Sequence, residues 1–253
     1  MKRDKQFNNL IEGSDEAYIG HGNPNASILF QAQESARDDS DNHAKWEECI
    51  KTGIRFDDID PTKIEKGLPV RTWANQKFQV RSKVGGADKF RGEEGTARTW
   101  FNYQKLINLI LHKTMSKDDY LDFQKYTFSS DMNGVASEKH KVTAAAKESV
   151  KKRADFFRHP FFQSFPIIIA GVGHFPRDTY GDSYFHDVFG VDFVGETIHV
   201  GKNQWININE SDDKLLIHCP QLSGSVSDDF LQKIADIVIE FANRHNVNLL
   251  PEE

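Results

Sequence analysis

Residues 165–173 read F-P-I-I-I-A-G-V-G, and this apolar stretch decides the fold. Three successive isoleucines favour a strand, and a run that is apolar at every position is typical of a strand buried on both faces. Gly171 and Gly173 mark the point where the strand gives way to a turn. Because strands buried on both faces occur mainly in parallel sheets, we predict that this stretch is the central strand of one.

The segments on either side alternate between strand-like and helix-like patterns. Short apolar runs predict further strands at residues 27–33, 126–129, 192–200, 203–209 and 214–218. Gly201 and Lys202 join the third and fourth of these runs, so we predict a β-hairpin there. Apolar residues at helical spacing predict helices over residues 98–115 and 144–158 and from Ser227 onward, with Ser227 as the N-cap.

Strands that alternate with helices predict an α/β fold. We expect a single three-layer α/β domain over residues 1–253, with helices on both faces of a central, mainly parallel sheet of about four strands. A small β-hairpin completes the predicted fold. Residues 56–97 show weak periodicity and several glycines, so we interpret them as an irregular insertion in this domain.

The composition excludes several classes of protein. Of the 253 residues, 38% are hydrophobic and 28% charged, a balance that argues against global disorder. The apolar runs fall short of the roughly 20 residues that span a bilayer, and no signal-peptide core follows the basic N-terminus. We therefore expect a cytoplasmic protein with no membrane partner. Cys49 and Cys219 are too few for a disulfide framework or a structural zinc site, so we interpret both as buried thiols.

The strand-end rule predicts where a ligand would bind. In open parallel sheets, ligands bind beyond the carboxyl ends of the strands. Four segments follow predicted strands, and they contain Gln33, Glu34, Asn133, His174, His218 and Ser223. A carboxylate facing a histidine can orient or deprotonate water, while the imidazole stabilises an anion. An asparagine amide both donates and accepts hydrogen bonds, which suits it to reading the edge of a base.

Three of these residues also have an ordinary structural interpretation. Glu34 is suited to capping a following helix, and His218 to a hydrogen-bonded position at a strand end. Asn133 precedes Gly134, and Asn-Gly is a common turn sequence. His174 is a second imidazole at the same edge, and the sequence does not rank it below His218. No Walker loop, G-x-G-x-x-G or H-E-x-x-H is present, and we expect neither a cofactor nor a metal.

Three of the four segments resemble motifs of the uracil-DNA glycosylase superfamily. Residues 32–35 (A-Q-E-S) are similar to the G-Q-D-P or G-E-x-P-G motif that follows the first strand of that family. Residues 218–223 (H-C-P-Q-L-S) are similar to its H-P-S-P-L-S motif. Asn133, in S-D-M-N, stands where the family has an asparagine at the end of a middle strand. The order and rough spacing agree over about residues 27–242, apart from residues 56–98 and the hairpin at residues 192–209, for which the resemblance does not account.

This resemblance implies a DNA-repair hydrolase that binds DNA, flips a base out of the stack and cleaves its N-glycosidic bond by water attack. Glu34 and His218 would be catalytic, with Glu34 positioning the water and His218 stabilising the departing base anion. Asn133 would read the base edge, and Ser223 would hold phosphates. Gln33 and His174 belong to the same predicted substrate-binding set.

Two other functions fit the same residues. Residues 220–229 contain no basic side chain where a DNA-gripping loop is expected, which suits a protein that binds nucleic acid or nucleotide without cutting it. Basic residues cluster instead at residues 63–98 and 139–153, where they would contact phosphates or form solvated helix faces. The second of these alternative functions is that of an α/β hydrolase that acts on a small molecule, with His174 or His218 as the base.

Overall fold

The computed structural model describes residues 3–14, 19–33, 98–114, 121–134 and 142–250. The predicted insertion at residues 56–97 lies outside these segments, as do the candidate catalytic residue Glu34 and the thiol Cys49.

Helices and strands alternate along the described segments. The α-helices are α1 Asp4–Gly13, α2 Arg98–Ile110, α3 Ala144–Phe157, α4 Pro160–Gln163, α5 Phe175–Thr179, α6 Tyr184–Phe189 and α7 Asp228–His245. A 3-10 turn spans Phe123–Lys125. The strands are β1 His21–Gly22, β2 Ile28–Ala32, β3 Thr127–Asp131, β4 Ile167–Gly171, β5 Asp192–Val200, β6 Gln204–Glu210 and β7 Leu215–Cys219. No helix of these segments has the length and apolarity needed to cross a membrane.

All seven strands belong to one mixed sheet in the order β1-β3-β2-β4-β7-β6-β5. The β3–β2, β2–β4 and β4–β7 pairs are parallel, whereas the β1–β3, β7–β6 and β6–β5 pairs are antiparallel. The prediction of a mainly parallel sheet of about four strands is therefore wrong. The predicted hairpin is not a separate element, because β6 pairs with β7 and extends the sheet. His21 and Gly22, which look like part of a turn in the sequence, add the opposite edge.

Several predicted elements are confirmed. β4 coincides with the predicted central strand, and all five of its residues are buried. The Ser227 hydroxyl accepts a hydrogen bond from the Phe230 amide at 3.2 Å, which confirms the predicted N-cap of α7. The α2 and α3 helices occupy the segments whose apolar periodicity is helical. Cys219 is a buried free thiol, and burial raises its pKa to about 12.

The core lies on both sides of the sheet because adjacent residues of each central strand point to opposite faces. On one face, side chains of α2 and α7 such as Leu106 and Ile234 pack against Phe30. On the other face, side chains of α3 and α6 such as Phe157 and Tyr184 pack against Leu29. Helices thus cover both faces, and the ends of the central strands are left at the sheet's two rims.

The four parallel strands end in register at one rim. Ala32 of β2 pairs with Asp131 of β3 and with Gly171 of β4, and Gly171 pairs with Cys219 of β7. Whatever follows these residues in sequence is therefore brought together. We call the rim formed by residues 33, 132–134, 172–174 and 220–224 the carboxyl edge.

Candidate functional site

Backbone hydrogen bonds hold the carboxyl edge together beyond the strands themselves. Met132 N donates to Ala32 O at 2.7 Å, and Asn133 N donates to Gln33 O at 2.9 Å, so the β2–β3 pairing continues past both strand ends. Gly173 N donates to Cys219 O at 3.0 Å. The four segments that the strand-end rule selected thus lie side by side where the structure describes them.

A chain of side-chain hydrogen bonds links the end of β2 to the loop after β7. The buried Gln33 accepts through Oε1 from Gln221 Nε2. The exposed Ser223 donates through Oγ to Gln221 Oε1 at 3.1 Å. Two predicted binding residues, Gln33 and Ser223, are therefore connected through Gln221, a residue that sequence reasoning missed.

Helix α2 is hydrogen-bonded to the loop that follows β7. Asn102, which is buried, donates through Nδ2 to Leu222 O at 2.7 Å and to Gly224 O at 3.2 Å. The Leu222 side chain lies against Gly171, where an added Cβ would meet its Cγ at 3.4 Å. The loop after β7 is therefore held in one position by packing and by hydrogen bonds. No sequence pattern indicates this role, because Asn102 lies on a helix that is far in sequence from the loop after β7.

His218 is a half-buried imidazole on β7, and its Nε2 lies 2.6 Å from Gly173 O. Because a carbonyl only accepts hydrogen bonds, Nε2 carries the proton and the neutral ring keeps a lone pair on Nδ1. Burial lowers the pKa of His218 to about 4; the hydrogen bond to Gly173 acts against this shift, and nearby His174 adds to it. His218 is therefore neutral at physiological pH, so it acts as a neutral donor or acceptor rather than as a cation.

Aromatic rings surround His218. The ring centroid of Phe185, from α6, lies 4.7 Å from that of His218, and Trp205, from β6, lies at the same distance in an edge-on arrangement. The exposed His174 stacks on Trp205, with centroids 5.3 Å apart and planes 16° from parallel. Neither Phe185 nor Trp205 belongs to any motif, so no pattern in the sequence could have assigned them to the site.

The end of β3 is held by helix α3. Arg153, a buried arginine, donates from Nε to Asp131 O at 2.8 Å and from a terminal nitrogen to Ser130 Oγ at 3.0 Å. Ser149 Oγ accepts from Gly134 N at 3.0 Å. Asn133 lies between these anchored residues and is itself 1% exposed. The backbone of Asn133 is therefore fixed by its own hydrogen bond to Gln33 O and by the anchored residues on either side.

Five of the six predicted site residues lie along the carboxyl edge in two groups. Asn133 and Ser223 are linked to Gln33, directly and through Gln221, whereas His174 and His218 are linked through Trp205. Glu34 follows Gln33 in sequence but lies outside the described residues, and its role stays a prediction. Within the described segments, no three His, Cys, Asp or Glu side chains are grouped closely enough to hold a metal ion. The five described site residues themselves contribute amides, a hydroxyl and imidazoles.

A cavity of about 440 Å³ lies elsewhere, between the ends of α1 and α3. Its lining includes Leu10, Phe156 and the ion pair of Arg158 with Asp155, and none of the predicted site residues contributes to it. The Arg158 guanidinium is already bonded to Asp155, to Asp187 O and to Tyr180. These bonds make it a structural tie between α3 and the segment of α5 and α6.

No protein-family model matches the chain, and no curated protein matches its sequence. Inference about function therefore starts from the residues at the carboxyl edge.

Proposed function

We propose that the carboxyl edge binds a nucleobase and that this chain hydrolyses the N-glycosidic bond of a base in DNA, as its resemblance to the uracil-DNA glycosylase superfamily implies. One observation supports this proposal most strongly. Asn133 and His218, which come from distant parts of the sequence, follow or end strands that terminate in register at one rim. These are the two residues to which the resemblance gives base recognition and stabilisation of the leaving group.

The proposed chemistry needs a pocket for the flat base, a water molecule and a group that stabilises the negative charge on the departing base. Asn133 pairs with the polar edge of the flipped base, and the Glu34 carboxylate takes a proton from the attacking water. The water oxygen forms a bond to C1′ as the bond between C1′ and the base nitrogen breaks. The electron pair leaves with the base, whose carbonyl oxygen accepts a hydrogen bond from neutral His218.

His218 must exchange its hydrogen-bond partner to take this part. Its Nε2 proton is donated to Gly173 O at 2.6 Å in the structure. A base carbonyl that enters the site would have to draw this donor away from Gly173 or share it. The exchange is feasible because a neutral donor loses little when one carbonyl oxygen replaces another.

The same hydrogen bond favours a second candidate function. If the His218 Nε2–H group stays hydrogen-bonded to Gly173 O when a base is bound, His218 contributes a flat ring to the wall of the pocket and donates no hydrogen bond to a departing base. The chain would then bind nucleic acid or a nucleotide at the carboxyl edge without cleaving it.

Base excision separates the two functions. Single- and double-stranded oligonucleotides with uracil, hypoxanthine or a mismatch are incubated with the protein, and alkali then cuts any abasic site. We expect cleavage at one lesion, and we expect it to fall at least about 100-fold in Glu34→Gln and in His218→Ala, since each removes a proton-transfer or anion-stabilising group.

The control variant is His186→Ala, which removes an exposed imidazole whose partner is Asp192. It should cleave as well as the original protein. Folded protein that binds the oligonucleotides but cuts none would replace the glycosylase with the non-catalytic binder. Folded protein that neither binds nor cuts would contradict both functions.

A further inference from the structure

We propose that His174 and Trp205 form a stacking subsite for a second base, next to the one held at the carboxyl edge. The ligand of this subsite is a neighbouring nucleotide of the same DNA strand. The inference rests on the proposed base-binding function and assigns a role to the β5–β6 hairpin, which the resemblance does not cover.

The geometry is that of a base stack. The rings of His174 and Trp205 lie 16° from parallel with centroids 5.3 Å apart. Trp205 covers one face of the His174 ring, and His174 is nevertheless exposed. Part of the His174 side chain is therefore accessible to a ligand, and a purine or pyrimidine laid on this ring would extend an existing stack of two flat rings.

The subsite adjoins the proposed base pocket. Trp205 contacts both imidazoles, since its ring centroid is 4.7 Å from that of His218. Gly173 directly precedes His174, and its carbonyl oxygen accepts the hydrogen bond from His218 Nε2. A base on His174 and a base at His218 would thus be separated by the width of a ring or two, a distance that adjacent nucleotides of one strand span.

Trp205 is held firmly by the sheet. Its strand β6 pairs with β7, where Asn207 lies opposite His218, and with β5, where His199 lies opposite Trp205 itself. Gln204 is hydrogen-bonded to Ser227 at 2.7 Å, which ties the start of β6 to the cap of α7. A platform that is ordered before the ligand arrives loses less entropy on binding.

Helix capping does not explain the position of the His174 ring. His174 precedes α5 as its N-cap residue, but its side chain makes no capping hydrogen bond. Arg177 lies one turn along the same segment, and its side chain is 58% exposed and paired with Asp178. An exposed guanidinium three residues after His174 suits the phosphate of the nucleotide whose base lies on His174.

The test compares a long ligand with a short one. The long ligand is a five-nucleotide single strand with central 2′-fluoro-2′-deoxyuridine, whose fluorine opposes positive charge at C1′ and so prevents cleavage. The short ligand is the 5′-monophosphate of the same nucleoside, which has no neighbouring base. Dissociation constants are measured for the original protein, His174→Ala, His174→Phe and Trp205→Ala, with His186→Ala as the control at an exposed histidine outside the site.

We expect the original protein to bind the pentamer more tightly than the monophosphate. His174→Ala and Trp205→Ala should weaken pentamer binding about tenfold more than monophosphate binding, because one base–aromatic stack is lost. His174→Phe should restore most of the difference, since phenylalanine keeps a flat ring. His186→Ala should change neither constant.

Equal losses for the two ligands in His174→Ala, or no loss, would overturn the subsite while leaving the base pocket intact. The same holds if the original protein binds both ligands equally well. Failure of the folded original protein to bind either ligand would overturn the base pocket as well. A merely structural role for the His174–Trp205 stack predicts lower thermal stability with no difference between pentamer and monophosphate.

Discussion

At the scale of single residues, the surroundings of His218 bear most directly on the proposed chemistry. Its ring is half-buried between Phe185 and Trp205, and its Nε2–H group donates a hydrogen bond to Gly173 O. Burial favours the uncharged imidazole because a charge loses hydration in such surroundings. A glycosylase or a base-binding protein built on this residue would therefore use a neutral ring over the whole physiological range of pH.

The lowered pKa of His218 makes stability depend on pH in a definite direction. The pKa is about 4 in the folded chain, against about 6.5 in an unfolded one. Between these values the unfolded state binds the proton and the folded state does not, so stability is complete above pH 6.5 and falls as the pH drops towards 4. Buried His21 has its pKa lowered to about 3 by burial and acts in the same direction.

We predict that His218→Gln flattens this dependence. Between pH 7 and pH 5, His218 should account for about 2 kcal/mol of the lost free energy of unfolding, at 1.36 kcal/mol per unit of pKa difference. Urea unfolding of the original protein, His218→Gln and the exposed His199→Gln at both pH values provides the measurement. A loss in His218→Gln as large as in the original protein would show that His218 does not titrate as its burial requires.

At the scale of elements, the position of Asn133 depends on how α3 is anchored to β3. Arg153 bonds the Asp131 carbonyl and the Ser130 hydroxyl, and its guanidinium lies 4.6 Å from the centre of the Phe156 ring. A buried arginine that satisfies strand-end groups fixes the segment that follows them. The residues that follow β3 are thus held in position by helix α3 as well as by the sheet.

We predict that Arg153→Met destabilises the fold by about 2 kcal/mol or more, because it leaves a buried carbonyl and a buried hydroxyl without this donor. Lys151→Met is the matched control, since Lys151 is exposed on the same helix and its replacement should cost less than about 0.5 kcal/mol. Denaturant unfolding measures both variants. Similar free energies of unfolding for the two would show that the Arg153 hydrogen bonds contribute little.

Elements whose signal is local could be predicted, and their pairing could not. The isoleucine run of β4, the apolar stripe of α2 and the cap at Ser227 depend on neighbouring residues, so the sequence alone predicts them. The partner of the hairpin depends on contacts between distant segments, which periodicity does not encode. Pairing of β6 with β7, and of two-residue β1 with β3, therefore turned a predicted four-stranded parallel sheet into a mixed sheet of seven strands.

The same division applies to the site. The positions of Gln33, Asn133, His174, His218 and Ser223 at the carboxyl edge could be predicted because each follows or ends a strand that is visible in the sequence, and their roles stay predictions. Their supports could not be predicted. Asn102 and Trp205 reach the carboxyl edge only through tertiary packing, and the bond from Gln221 to Gln33 joins residues that are far apart in the sequence. Glu34 remains a prediction from the resemblance.

At the scale of the whole molecule, the carboxyl edge is central and the hairpin lies beside it. The four parallel strands that end there occupy the middle of the sheet, and β6 and β5 continue it past β7. Exposed lysines of α3, Lys147, Lys151 and Lys152, lie on the helix that anchors the β3 end. If the proposed function holds, these lysines would contact the phosphates of the bound strand even though the chain as a whole carries a net charge of −6.

The central claim is that a nucleobase binds at the carboxyl ends of the four parallel strands rather than elsewhere on the molecule. The most direct test is a titration of ¹⁵N-labelled protein with the 2′-fluoro pentamer, followed by the shifts of backbone amide signals. The reference amides are those of Ile28, Thr127, Ile167 and Leu215, which begin the same four strands in register.

We predict that the largest changes occur at the amides of Gln33, Asn133, Gly173 and Cys219, while the reference amides at the opposite ends of the strands stay within the noise. This result would place the base at the carboxyl edge whether or not the bond is cut. Saturable changes confined to other surfaces, or no change at millimolar pentamer, would contradict the account.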